Sequence, residues 1–165
     1  MLFTKKRTLF SLLLVTCIAI AAALIFTNPN LRANAESPAV EDSFVAPTEG
    51  IISARFGDET KQNVYDIAIT NQVGTPVYAI TDGVVEKAGY ESADGNQVVI
   101  THPDAFVSAY RHLDTILVEE GQEVKKGQQI GTLGLTGRST GPHLSFGLMR
   151  DGQYIDPEIT IEFRE

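Results

Sequence analysis

The sequence predicts an all-β domain that follows a single apolar N-terminal segment. Short apolar or alternating runs recur between Ile51 and Met149, with turn-forming residues between them. All 14 glycines of the 165-residue chain fall at Gly50 or later, which marks where turn-rich structure begins. Beyond the N-terminal run, no stretch keeps a 3.6-residue apolar period.

Residues 1–7 end in Lys5, Lys6 and Arg7 and read as a basic cytoplasmic tail. Residues 8–26 carry no charge and are mostly Leu, Ile, Val, Ala and Phe. Such a run is long enough to cross a bilayer core, and the basic cluster before it favours an N-inside orientation. Ala33-Asn34-Ala35 offers a small-x-small cleavage site, the mark of a secretory signal. The length of the run favours an uncleaved transmembrane anchor. Either alternative places the rest of the chain outside the cytoplasm, tethered to the cytoplasmic membrane or secreted. Cys17 is the sole cysteine and lies inside the run, so an intrachain disulfide is ruled out. Thr16 before it does not suit a lipoprotein site.

Residues 27–46 are rich in Asn, Pro, Ser, Ala and Glu without periodicity and read as a linker. The domain is expected over 47–160. Its strands are expected at Ile51–Phe56, Tyr65–Ile69, Pro76–Ile80, Val84–Ala88, Gln97–Thr101, Phe106–Tyr110, Gln129–Leu133 and Leu144–Met149. Asp82-Gly83, Asp94-Gly95-Asn96, Glu120-Gly121 and Asp151-Gly152 supply the turns. Many short strands with frequent turns imply a barrel or sandwich. Gly121 and Gly127, set between inward-pointing Val and Ile residues, resemble the strand-turn-strand unit of barrel-sandwich folds.

Charge is lopsided. Of 13 Lys and Arg residues, three precede the apolar run and Arg32 follows it; the other nine face all 21 Asp and Glu. The exported part is therefore near −12 (9 − 21), which argues against nucleic-acid binding and against docking on anionic lipid.

Asp66, His112 and His143 form the strongest chemical constellation. Zinc hydrolases need three protein ligands and an open position for water, and the metal lowers the pKa of that water toward neutrality. On composition alone, two histidines and an aspartate carry little weight. The wider pattern adds to it. Pro47 to Pro157 resembles the lysostaphin/LytM-type zinc endopeptidase family over nearly its whole length. The resemblance runs through Tyr65-Asp66-Ile67-Ala68, Gly74-Thr75-Pro76-Val77-Tyr78-Ala79 and Asp82-Gly83-Val84-Val85. It continues through Tyr110-Arg111-His112-Leu113 and the segment Gly121 to Gln128, and closes with Gly134 to Leu144.

The resemblance implies a barrel-sandwich domain of the duplicated hybrid motif type, and it also implies a degenerate site. In the family's H-x-x-x-D motif both residues bind zinc; Asp66 matches the second, but Gln62 stands at the first. In the H-x-H motif the later histidine binds zinc; His143 matches the earlier, assisting one, and Ser145 replaces the ligand. His112 matches a further assisting histidine. Two of three ligands are thus lost, Asp66 is retained, and His112 and His143 are vestigial catalytic positions. Gln62 offers a weak amide oxygen, and Ser145 a hydroxyl that must lose a proton to bind strongly. Gly147 also stands where the family usually has Glu, and Val64 where it usually has Gly.

The expected function is that of a non-catalytic cell-wall protein without a cofactor. It would bind peptidoglycan or an extracytoplasmic protein partner, such as an amidase or a membrane-protein complex. Its plan is similar to the stage II sporulation protein Q type. The alternative is an active metalloendopeptidase that cuts peptidoglycan cross-bridges through an altered zinc site, with Asp66, His112 and His143 as a displaced ligand set. A carrier domain on a related fold is a third class, which the extracytoplasmic location disfavours. Ser139 sits in a G-x-S-x-G pattern but lacks the strand-turn-helix context of a nucleophile. His102 is expected to be structural or exposed, and Lys125 and Lys126 to be solvated.

Overall fold

The computed structural model describes residues 44–60 and 65–163. The basic tail, the apolar run, most of the linker and Gln62 lie outside them. Among the described residues no helix is long and apolar enough to cross a membrane.

The domain is nearly all β. Its strands are β1 (Ile51–Ala54), β2 (Asp66–Thr70), β3 (Pro76–Tyr78), β4 (Gly83–Glu91), β5 (Gly95–Thr101), β6 (Phe106–Ile116), β7 (Glu123–Val124), β8 (Gln129–Leu133), β9 (Leu144–Arg150) and β10 (Gln153–Ile155). A 3-10 turn at Pro103–Ala105 precedes β6, and a single α-helical turn, α1 (Pro157–Thr160), follows β10. Pairing is antiparallel in the order β1-β2-β9-β6-β5-β4-β7; β10 pairs with β9, and β8 bridges β6 and β3.

Alternation along β2, β9 and β6 sends Ile67, Ile69, Leu144, Phe146, Leu148 and Tyr110 into a core shared with Val77, Val98, Ile100, Ile130 and Leu133. The opposite face of the same strands is small or polar. Asp66 stands opposite Gly147, Ala68 opposite Ser145, Ala109 opposite Gly147 and Arg111 opposite Ser145. Directly opposed residues point the same way, so these six line one shallow floor.

The eight expected strands are all present, and all but Gln129–Leu133 have shifted ends. β6 is the most extended: it runs on to Ile116 instead of stopping at Tyr110. A bulge explains the difference. Val98 pairs with Tyr110 and Asn96 with Leu113, so Arg111 and His112 together oppose the single Gln97. Tyr110 and Leu113, three residues apart, are both fully buried, which a strict two-residue period does not anticipate. β7 and β10 are too short to show alternation. β10 exists because Asp151 (φ 51°) and Gly152 (φ 75°) form the two-residue loop of a hairpin pairing Arg150 with Gln153. Two positive φ values in such a loop match the twist of the flanking strands. Part of the expected linker also belongs to the domain. Val45 donates its N–H to the Ile80 carbonyl at 2.9 Å, and the Phe44 ring meets Phe106 edge-on at 5.1 Å.

His102 is structural and buried. Its Nδ1–H donates to the Asp82 carbonyl at 2.8 Å, and its Nε2 lies 2.7 Å from Ser108 Oγ. Ser108 Oγ is 3.1 Å from the Tyr110 hydroxyl, which accepts the Ile80 N–H at 3.1 Å. Burial holds the His102 pKa below the ordinary histidine value, although the Asp82 carbonyl opposes the shift. A neutral ring suits this chain of buried polar groups, each of which has a partner.

Candidate functional site

The small-residue floor and the β6 bulge assemble the site. Asp66 opens β2 and is almost wholly buried. Its carboxylate is held from two sides: Arg111 Nη1 forms an ion pair with Oδ2, and Ser145 Oγ donates to the same oxygen at 2.7 Å. Arg111 reaches a second carboxylate through Nε, 3.5 Å from Asp94 Oδ2. Gly147 makes room for the pair. A Cβ there would collide with Asp66 Oδ1 and lie 3.2 Å from its Cγ and 3.4 Å from Arg111 Nη1.

The bulge also delivers His112, whose φ of 64° is left-handed. Such a conformation is uncommon for a residue with a Cβ and persists only where its surroundings hold it. Here the His112 N–H donates to the Asp94 carbonyl, and its Nδ1–H donates to the Thr136 carbonyl, both at 2.8 Å. Thr136 is itself fixed: its hydroxyl accepts the Asn96 N–H at 2.9 Å and donates to the Leu113 carbonyl at 2.7 Å. Burial lowers the His112 pKa first; the charges of His143 and Arg111 add to the effect, while the Thr136 carbonyl and Asp94 oppose it.

His143 follows the loop after β8 and bridges to Gly134. Its Nδ1–H donates to the Gly141 carbonyl at 2.8 Å, the same oxygen that accepts Ser139 Oγ at 2.8 Å. Ser139 is thus a loop clamp beside His143, at 3.1 Å from its Nδ1, and no helix follows it to form a nucleophile turn. The two imidazoles stand side by side, with centroids 4.8 Å apart and planes tilted 54°. Both use Nδ1 on a backbone carbonyl. Nε2 is therefore the nitrogen each retains for a proton or a ligand.

The structure brings Asp66 and Ser145 into contact, and His112 and His143 into contact, as two separate pairs. Gln62 lies outside the described residues. Among the described residues, no three His, Cys, Asp or Glu side chains converge as a metal-holding group. Arg111, not an imidazole, sits against the Asp66 carboxylate. Arg111 stands in the sequence only as the variable position of Tyr110-Arg111-His112-Leu113. The signal available was a cation immediately before a site histidine, with an aspartate on a strand of the same sheet.

The sequence profile of peptidase family M23 matches residues 61–157. The chain belongs to peptidase family M23. Within M23, it is 49% identical over 90 residues to the peptidoglycan DD-endopeptidase ShyC of Vibrio cholerae serotype O1, covering 54% of this chain and 21% of that protein. It is 41% identical over 112 residues to the murein hydrolase activator NlpD of Escherichia coli K12, covering 67% and 29% respectively. A zinc-containing peptidase from Vibrio cholerae superposes with a TM-score of 0.62 at 35% identity, over 69% of this chain and 37% of that one. The chain thus spans well under half the length of these M23 relatives.

Proposed function

We propose that this chain is a non-catalytic M23 protein on a barrel-sandwich scaffold. It acts outside the cytoplasm by binding a protein partner or peptidoglycan, and residues 8–26 tether it to the membrane. The observation that carries this is the state of Asp66. Its Oδ2 accepts from both Arg111 and Ser145, so the one retained ligand position already has its charge neutralised. Ser145 uses its proton to bind that carboxylate and would have to give it up to bind a metal strongly. The described side chains do not fit a tetrahedral zinc site. Without a metal, no group here brings a water toward neutral pKa. The likeness to a murein hydrolase activator supports a binding role, in which an amidase or a membrane-protein complex is the natural kind of partner.

The test is zinc stoichiometry on the purified chain beside a muropeptide-release assay with zinc added. The expected result is no stoichiometric zinc and no release. Partner-dependent function is expected to survive His143→Ala, because His143 meets its neighbours at a loop surface and not in the core. Its loss in a folded His143→Ala chain would overturn the proposal.

One alternative has a specific observation behind it. His112 and His143 keep their rings paired and anchored through Nδ1, the arrangement that histidines serving a hydrolytic centre need. Together with the likeness to a DD-endopeptidase, this favours an endopeptidase working through an altered zinc site. Chelator-sensitive release of muropeptides would establish it.

A further inference from the structure

We propose that Arg111 is a built-in replacement for the metal: its guanidinium supplies the positive charge at Asp66 and bars a divalent cation from the site. The proposal rests on the non-catalytic function above and adds a mechanism to it. Ligand loss at positions 62 and 145 is only half of what silences the site.

Three observations carry it. First, Arg111 and Ser145 are register partners on neighbouring strands, and both bind the same oxygen, Asp66 Oδ2. A buried carboxylate needs a counter-charge. Here the counter-charge is covalently part of the chain and 14% exposed at the side chain. Second, the guanidinium is fixed at both ends. Nη1 holds Asp66 while Nε faces Asp94, so the Asp94 contact keeps the guanidinium beside the site. Third, Gly147 leaves the volume that the carboxylate and guanidinium occupy. A side chain at that position would meet both, so the floor is shaped around this pair. A metal arriving at Asp66 would face an adjacent fixed positive charge in a poorly solvated site, where such repulsion is strong.

The proposal makes an unexpected demand on repair of the site. Restoring both imidazoles with Gln62→His and Ser145→His does not restore metal binding while Arg111 remains. Adding Arg111→Met, which keeps an unbranched but shorter stem and removes the charge, does. The experiment compares the full-length chain, the Gln62→His/Ser145→His variant and the same variant carrying Arg111→Met. Folding is checked by circular dichroism, and zinc is titrated against a chromogenic chelator.

The expected result is no stoichiometric zinc in the first two and about one zinc per chain in the third, bound about 10- to 100-fold more tightly than by the second. Equal zinc affinity in the second and third variants overturns the proposal. So does a folded third variant that takes no zinc, since another feature then bars the metal. If the Met variant does not fold, Arg111→Gln in the same background keeps the hydrogen-bond donor, drops the charge and gives the same comparison. Zinc in the unmodified chain is a different outcome. It would overturn the non-catalytic function itself, together with any role of Arg111 in excluding metal.

Discussion

Asp66→Ala should destabilise the domain although the residue serves no chemistry in the proposed function. Removing one partner of a buried ion pair costs about 3–5 kcal/mol, chiefly because the remaining charge is stranded. Two features reduce that figure. The Arg111 side chain is 14% exposed, and its Nε keeps Asp94 Oδ2 at 3.5 Å, so water and a second carboxylate take up part of the charge. One feature adds to it. Ser145, 6% exposed, loses the acceptor of its 2.7 Å hydrogen bond, worth about 1 kcal/mol. The balance is about 3 kcal/mol. With a urea m-value of about 1.5 kcal/mol/M, typical of a small domain, the midpoint should fall by about 2 M. The assay is urea unfolding of the full-length chain in mild detergent. It is followed by far-UV circular dichroism and tyrosine fluorescence, because the sequence has five tyrosines and no tryptophan. A midpoint within about 0.5 M of the parent at unchanged m would refute the buried Asp66–Arg111–Ser145 cluster. The consequence for function assays is direct. Loss of activity in Asp66→Ala reports on folding unless stability is measured beside it, which makes His143→Ala the cleaner probe.

Gly147→Ala should cost about 1–3 kcal/mol in the same unfolding assay, because its Cβ collides with the Asp66 carboxylate and β9 cannot move away without breaking pairing on both sides. Tyr110→Phe should cost about 1–3 kcal/mol by leaving the buried Ile80 N–H without its acceptor; a neutral result would mean that water replaces the hydroxyl. Stability should also depend on pH through His102 and His112. Burial lowers both folded-state values, so the unfolded chain binds more protons in that range. Their contribution is complete above the unfolded value of about 6.5 and declines as pH falls below it toward the folded values. Denaturation midpoints measured from pH 7.5 to 5.5 should fall toward acid, and a flat profile would contradict the buried His102–Ser108 contact. Finally, zinc or a chelator should leave the melting temperature of the parent chain unchanged, since a ligand stabilises a fold only by binding its native state.

Much of this protein was legible from residues alone because its strands obey a two-residue period and its turns use glycine. The run Gln129–Leu133 coincides with β8, and Asp151-Gly152 forms the turn where that pair was expected. Membership of the family followed from ordered short motifs, each tied to a local turn or strand. The pairing of His112 with His143 was also implied, since both positions belong to those motifs.

What only the tertiary structure decided depends on cross-strand register, which no local pattern encodes. The sequence places Arg111 one residue from His112 and 45 from Asp66, and a strict alternation would send Arg111 and His112 to opposite faces. The bulge opposite Gln97 and the left-handed backbone at His112 break that alternation. Strand β9, lying between β2 and β6, then brings Ser145 and the empty side of Gly147 to the Asp66 carboxylate. The family resemblance implied which imidazoles are replaced, at Gln62 and Ser145. The fold placed the Arg111 guanidinium against Asp66, because an electrostatic partner is chosen by distance in space and not by distance along the chain.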